Sequence, residues 1–139
     1  MLISIMVNEF LVKWKLIPIR KENFMERNFK ILHLDEQPWE SFGGQTKDIF
    51  RKSLSPAKFP SGFKASLTLA KPGGEFPEHI DPYSHIFYIL EGEGEAVVAG
   101  EKYSFKKGDA FTVMAGERHG YRNNGPKDLL LITLNIFEK

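Results

Sequence analysis

No cysteine occurs among the 139 residues. Disulfide frameworks, thiolate zinc sites, iron–sulfur clusters and cysteine nucleophiles are therefore excluded, and any metal must be held by histidine and carboxylate. An excess of one charge is missing as well. The 19 Lys and Arg against 18 Asp and Glu leave a net charge of +1, so the basic footprint of a dedicated nucleic-acid binder is lacking. Long apolar runs are absent too. Met1 to Val7 is apolar but short, has no basic stretch before it, and is followed by Asn8, Glu9, Lys13 and Lys15. It fits neither a signal peptide nor a membrane span, which reads as a cytoplasmic protein with no membrane partner. After Lys30 no segment keeps a 3.6-residue apolar period long enough for a helix, and there is neither an internal repeat nor a low-complexity tract.

What the chain does have is core-building material and β pattern. An apolar fraction of 42% with 12 Phe, 4 Tyr and 2 Trp supplies one compact core at the commonest size of a single domain. Residues 1–24 read as an N-terminal arm or an added strand, because Phe10, Val12, Trp14 and Leu16 alternate with Lys13 and Lys15. Residues 25–139 read as one domain. Within it Lys30–Leu34, Phe63–Ala70, Ile86–Leu90, Ala96–Ala99, Lys102–Phe105, Ala110–Met114 and Leu129–Phe137 read as strands, and His119 opens another. They are divided by EGEGE at Glu91–Glu95, Gly100, KKGD at Lys106–Asp109, AGE at Ala115–Glu117 and NNGP at Asn123–Pro126. Asp35–Glu40 reads as one short helical turn capped by Asp35, and Gln45–Pro60 as a strand with a loop. Short strands at this spacing predict an all-β sandwich or barrel.

The chemistry concentrates in Gly73–Gly94 and Gly108–Asn123, which hold three of the four histidines. His79 and Asp81 lie two apart, so on an extended chain they share a face, and His85, Phe87 and Ile89 share one on the next strand. These stretches resemble the two motifs of the cupin superfamily. Its first motif runs Gly, five residues, His-x-His, three or four residues, Glu, six residues, Gly, and here Gly73, His79, Asp81, His85 and Gly92 stand at those positions. Its second runs Gly, five residues, Pro-x-Gly, two residues, His, three residues, Asn, and here Gly108, Gly116, His119 and Asn123 are in register, with Met114 where Pro is usual. Fifteen residues separate the motifs, as in small single-domain cupins.

That resemblance implies a small jelly-roll barrel, a double-stranded β-helix carrying an N-terminal extension, with the motif residues facing its mouth. It implies His79, Asp81, His85 and His119 as metal ligands. Two residue types have exchanged places relative to the family, Asp81 for His and His85 for Glu, yet every position can still ligate. Imidazole and carboxylate suit divalent iron, manganese, cobalt, nickel or zinc. Asp81 precedes Pro82, so its carboxylate has two other fates: folding back as a turn cap, or acting as a general base beside the ion. Gly73, Gly92, Gly108 and Gly116 are read as turn residues and Asn123 as a turn former. Phe87, Ile89, Phe111 and Val113 are expected to wall the pocket. Tyr83, Tyr88, Arg118 and Tyr121 are expected at the surface, the alternative being that they orient an anionic substrate at the rim, and Glu75, Glu78 and Glu117 as solvated charges.

The implied function is a metal-dependent enzyme acting on a small, oxygen-rich organic molecule by oxygenase, decarboxylase, lyase or isomerase chemistry. A non-catalytic small-molecule or sugar sensor and an inert barrel are the alternatives. A homodimer that pairs sheet edges is the expected assembly.

Overall fold

The computed structural model describes residues 29–55 and 62–137. The proposed arm or added strand at 1–24 lies outside them. The unit that carries the site is His33–Lys139. A single 3-10 turn, Leu34–Glu36, precedes nine strands: β1 (Glu40–Ser41), β2 (Lys47–Ser53), β3 (Phe63–His79), β4 (Ser84–Glu91), β5 (Glu93–Val98), β6 (Glu101–Lys106), β7 (Ala110–Val113), β8 (His119–Arg122) and β9 (Leu129–Ile136). Among the described residues no helix is long and apolar enough to cross a membrane.

The strands form one curled antiparallel sheet in the order β6-β5-β8-β3-β9-β4-β7, with β2 also on β3 and β1 on β2. The 17-residue β3 joins the two halves. Its first part pairs with β9 through Ala70 opposite Leu129, and its second part with β8 from Glu75 opposite Arg122. Between them the chain turns through Gly73 at φ 84°. Gly74 packs so tightly that a Cβ there would stand 2.8 Å from the Asp48 carbonyl oxygen. A long strand that pairs with β9 in its first part and β8 in its second lets the one sheet curl over itself, the jelly-roll arrangement expected from the motifs.

Register sorts the interior into tiers, because residues paired directly across strands present side chains to the same face. At the closed end lie Ile49, Ala70 and Leu129; next come Arg51, Thr68, Leu131 and Ile89; then Ser66, Thr133 and Phe87; and last Lys64, Asn135 and His85. Ile49, Ala70, Ile89, Leu129 and Leu131 are fully buried. Polarity thus rises along the barrel toward one mouth, where the deep tiers supply the apolar burial that holds the sheet closed.

Two expected elements differ. Lys30–Leu34 is not a strand: Ile31 is exposed, and only Leu34 enters the 3-10 turn, where its carbonyl accepts from Lys52 Nζ at 2.6 Å. That turn begins one residue ahead of Asp35, and no side chain caps it. Of EGEGE only Gly92 lies between strands, since β4 ends at Glu91 and β5 starts at Glu93.

Candidate metal centre

His79 ends β3 and pairs directly with His119 at the start of β8. His85 enters the barrel from β4 opposite Asn135. Asp81 sits in the loop between β3 and β4, and that loop is stitched to the turn before β8: Gly116 N–H donates to the Asp81 carbonyl at 2.9 Å, and Ala115 N–H to Ser84 Oγ at 3.0 Å. Pro82 favours an extended Asp81 backbone. Among the described residues no backbone N–H reaches the Asp81 carboxylate, so the turn-cap alternative is not what the structure adopts.

Instead Asp81 Oδ2 lies 2.9 Å from His79 Nε2, 2.9 Å from His85 Nε2 and 3.8 Å from His119 Nε2. Ligand atoms of His79, Asp81 and His119 all fall within 4.8 Å of one another. His85 adjoins that group through Asp81, its ring centroid 4.9 Å from that of His119. All four residues named from the sequence are therefore brought to one point.

Each imidazole is held from behind. His79 Nδ1 lies 2.8 Å from the Pro77 carbonyl, His119 Nδ1 2.9 Å from the Glu117 carbonyl, and His85 Nδ1 2.7 Å from Asn135 Oδ1. An oxygen of this kind only accepts, so Nδ1 carries the proton in each ring and Nε2 is left to face Asp81. Aromatic faces bracket the rings: Phe76 stacks on His79 with centroids 4.8 Å apart, and Phe87 on His85 at 5.3 Å. Burial lowers the pKa of His119, outweighing the pull of its hydrogen bond to Glu117, and the neighbouring His79 and His85 lower it further. The neutral ring is the form that ligates a metal.

The group opens into a cavity of about 220 Å³ whose wall includes Phe42, Phe76, Phe87, Tyr83 and Tyr121. Tyr83 and Tyr121 are corrections to the expected surface placement. Tyr121 is buried opposite Phe76 on the adjoining strand, and burial pushes its pKa up. Tyr83 has its pKa raised by burial first and by Asp81 second. Of the expected apolar wall only Phe87 faces this cavity. Ile89 and Val113 are core, and Phe111 lies between Phe87 and Phe105. Tyr88 is exposed, and Arg118 is paired with Glu78 at the surface. Asn123 is buried and structural, Nδ2 donating to the Ala70 and Lys127 carbonyls while Oδ1 accepts from Gly125 N–H. Sequence reasoning missed Arg51, Lys64, Ser66, Thr68 and Thr133, all on the cavity wall. Alternation along Phe63–Ala70 was the available signal, since it puts Lys64, Ser66 and Thr68 on one face with Ala70.

Residues 66–136, half of the chain, match the Cupin domain family. The chain belongs to the cupin family. Two related sequences are about one-third identical to it over the aligned stretches. A 5-nitrosalicylic acid 1,2-dioxygenase of Bradyrhizobium sp is 34% identical over 92 residues, 66% of this chain and 41% of that protein, so the chain spans less than half of that relative. The pectin degradation protein KdgF of Dickeya dadantii is 33% identical over 86 residues, 62% of this chain and 74% of that protein. Among solved structures, the polyketide cyclase RemF of Streptomyces resistomycificus superposes with a TM-score of 0.70 at 21% identity, over 79% of this cupin and 80% of that chain. At that identity the likeness speaks for the fold.

Proposed function

We propose that His79, Asp81, His85 and His119 hold a divalent transition metal, one of iron, manganese, cobalt, nickel or zinc, and that this cupin is a metal-dependent enzyme acting on a small, oxygen-rich organic molecule. The observation that carries the reading is the hydrogen-bond pattern. With every Nδ1 proton given to an outer acceptor, the inner Nε2 atoms and a carboxylate face one another as electron-pair donors. Like-polarity groups this close and partly buried need a proton or a cation between them, and the donor set is that of a hard-to-borderline divalent ion. The outer acceptors are the supports that orient metal-binding imidazoles in general.

A metal bound there supplies Lewis-acid polarisation of a substrate oxygen. The protein's own residues do the rest. Phe76 and Phe87 wall the site and exclude bulk water, which strengthens each polar contact inside. Tyr83 keeps its phenolic proton at Oη beside Asp81, where it can donate to a developing negative charge. Asp81 is a ligand in this reading; freed from the ion it is the base nearest the cavity. One relative supports catalysis by its name, a dioxygenase, and the chemistry falls among the oxygenase, decarboxylase, lyase and isomerase classes.

Inductively coupled plasma mass spectrometry on untagged protein, beside a His79→Ala, His119→Ala double variant, tests the site. Near-stoichiometric metal in the wild type and its loss in the variant are expected. A wild type that holds no metal as isolated and takes up none on reconstitution overturns the reading and leaves a binding barrel with hydrogen-bonded histidines.

A further inference from the structure

The cavity that holds the histidines is also lined by two cations, Arg51 and Lys64, and by one carboxylate, Asp81. Asp81 faces the imidazoles. Arg51 and Lys64 form no ion pair among the described residues, where Lys71, Lys102, Lys107, Arg118 and Arg122 all do. Those five pairs lie on outer faces, whereas Arg51 and Lys64 are the two Lys or Arg side chains on the cavity wall.

Arg51 is the more telling of the two. It is half-buried, pairs with Thr68 across β2 and β3, and so shares the inward face. The Phe42 ring carries its guanidinium carbon at 4.6 Å from the centroid. That contact places the guanidinium over the ring, where its five N–H donors find no acceptor in the ring. Among the described residues none of those donors meets a protein acceptor, whereas other buried polar groups here, such as Asn123, are bonded at every available atom. An arginine held over a ring and unpaired, inside a pocket walled largely by aromatic side chains, is suited to a bidentate oxyanion. Lys64, exposed at the mouth and in the tier of Asn135 and His85, adds a second positive charge along the way in, which raises the local concentration of anions.

We infer that Arg51, seconded by Lys64, is the specificity-determining anion subsite of this cavity, and that the ligand is a small organic carboxylate. Its carboxylate lies on Arg51 and its other oxygen function faces the histidine group. β2 and β4 are separated by β3 and β9 in the sheet, and Arg51 stands two tiers deeper than His85, so the two side chains enter the cavity from different walls and at different depths. Both side chains reach inward from those positions, leaving space for one ring or a short chain. The cavity, about 220 Å³, holds the volume of about seven waters, which suits such a molecule and excludes a polymer. Ser66, Thr68 and Thr133 line the wall between the two ends and offer hydroxyls along its length. The inference rests on the metal-centred reading for the ligand's far end only.

Calorimetric titration with 3-hydroxybenzoate and its neutral isostere 3-hydroxybenzamide separates the two ideas. It is run on wild type, Arg51→Gln, Arg51→Lys and Lys64→Gln, each metal-loaded and chelator-treated, with thermal melts as the control for folding. Wild type is expected to favour the acid over the amide by about tenfold or more, as a charge-assisted bidentate pair would give. Arg51→Gln should bring that ratio near one, acid affinity falling more than amide affinity, Arg51→Lys should retain part of it, and Lys64→Gln should lower it less. The preference should survive chelation. Equal affinity for acid and amide in wild type, no measurable binding of the acid, or an unaltered ratio in Arg51→Gln overturns the subsite. Acid preference in a protein that binds no metal upholds the subsite and sinks the metal centre; the reverse result does the opposite.

Discussion

A histidine held through Nδ1 by an oxygen acceptor has its tautomer chosen for it, and three such choices meet at Asp81 Oδ2. The consequence at the scale of the single residue is a pH dependence. Burial lowers the His119 pKa below its ordinary 6.5, so between the folded and unfolded values the unfolded chain binds more protons. Stability then rises with pH through that window, and it falls as the pH drops from 6.5 toward the folded pKa. In metal-free protein the urea midpoint should therefore climb from pH 5.5 to pH 7.5, and less steeply in His119→Gln. An equal or steeper climb in the variant removes His119 from the account. The ligand set was legible in the sequence because its four members fall within two motifs, where spacing alone decides which residues meet. Arg51 was not: it stands on β2, in a stretch with weak alternation, and only the pairing with Thr68 turns it inward. Tyr121 was misread for a related reason, since the face a short strand buries depends on its neighbour across the sheet.

Turns carry much of the specification at the scale of the element. The β5–β6 hairpin has a two-residue loop, Ala99 and Gly100, between the paired Val98 and Glu101, and both loop residues have positive φ, 52° and 84°. Glycine suits that conformation and alanine does not. Ala99→Gly is expected to stabilise by about 0.5–1 kcal/mol, the relief of left-handed strain less the added chain entropy. Gly92 is the opposite case: at φ 91° a Cβ would also stand 2.6 Å from the Asp128 carbonyl oxygen. Gly92→Ala should destabilise by about 2–3 kcal/mol. At Gly108, which has the same φ and nothing within 4 Å, the change should cost only about 1–2 kcal/mol. Urea unfolding of the three variants ranks them, and a Gly108→Ala cost equal to that of Gly92→Ala would show that the clash is absorbed. Strand positions from Phe63 onward were readable from alternation and from these turns. The length of β3 was not, because Pro72, Gly73 and Gly74 signal a break that the fold uses as a bend. Lys30–Leu34 alternates like a strand but belongs to none of the nine, its last residue instead opening the 3-10 turn.

Across the whole molecule the tiers set apolar burial at one end and unmatched polar groups at the other. Ile49, Ala70, Leu129, Leu131 and Ile89 close the barrel, while the mouth gathers acceptors from β3, β4, β8 and the loop at Asp81. These segments come from distant parts of the chain, so an ion shared by His79, Asp81, His85 and His119 would cross-link the two halves of the sheet where the core is thinnest. An ion that binds the folded state and not the unfolded chain stabilises by mass action, about 2.7 kcal/mol at a free concentration a hundredfold above Kd. For a domain of this size that is a rise in Tm on the order of 10 °C. Thermal melts across a metal titration should show Tm rising with the logarithm of metal concentration, reversed by chelator. The His79→Ala, His119→Ala double variant should show a flat response. A wild-type Tm that ignores metal would mean that the histidine group closes the mouth through hydrogen bonds alone, and the pH window at His119 would then be its main signature.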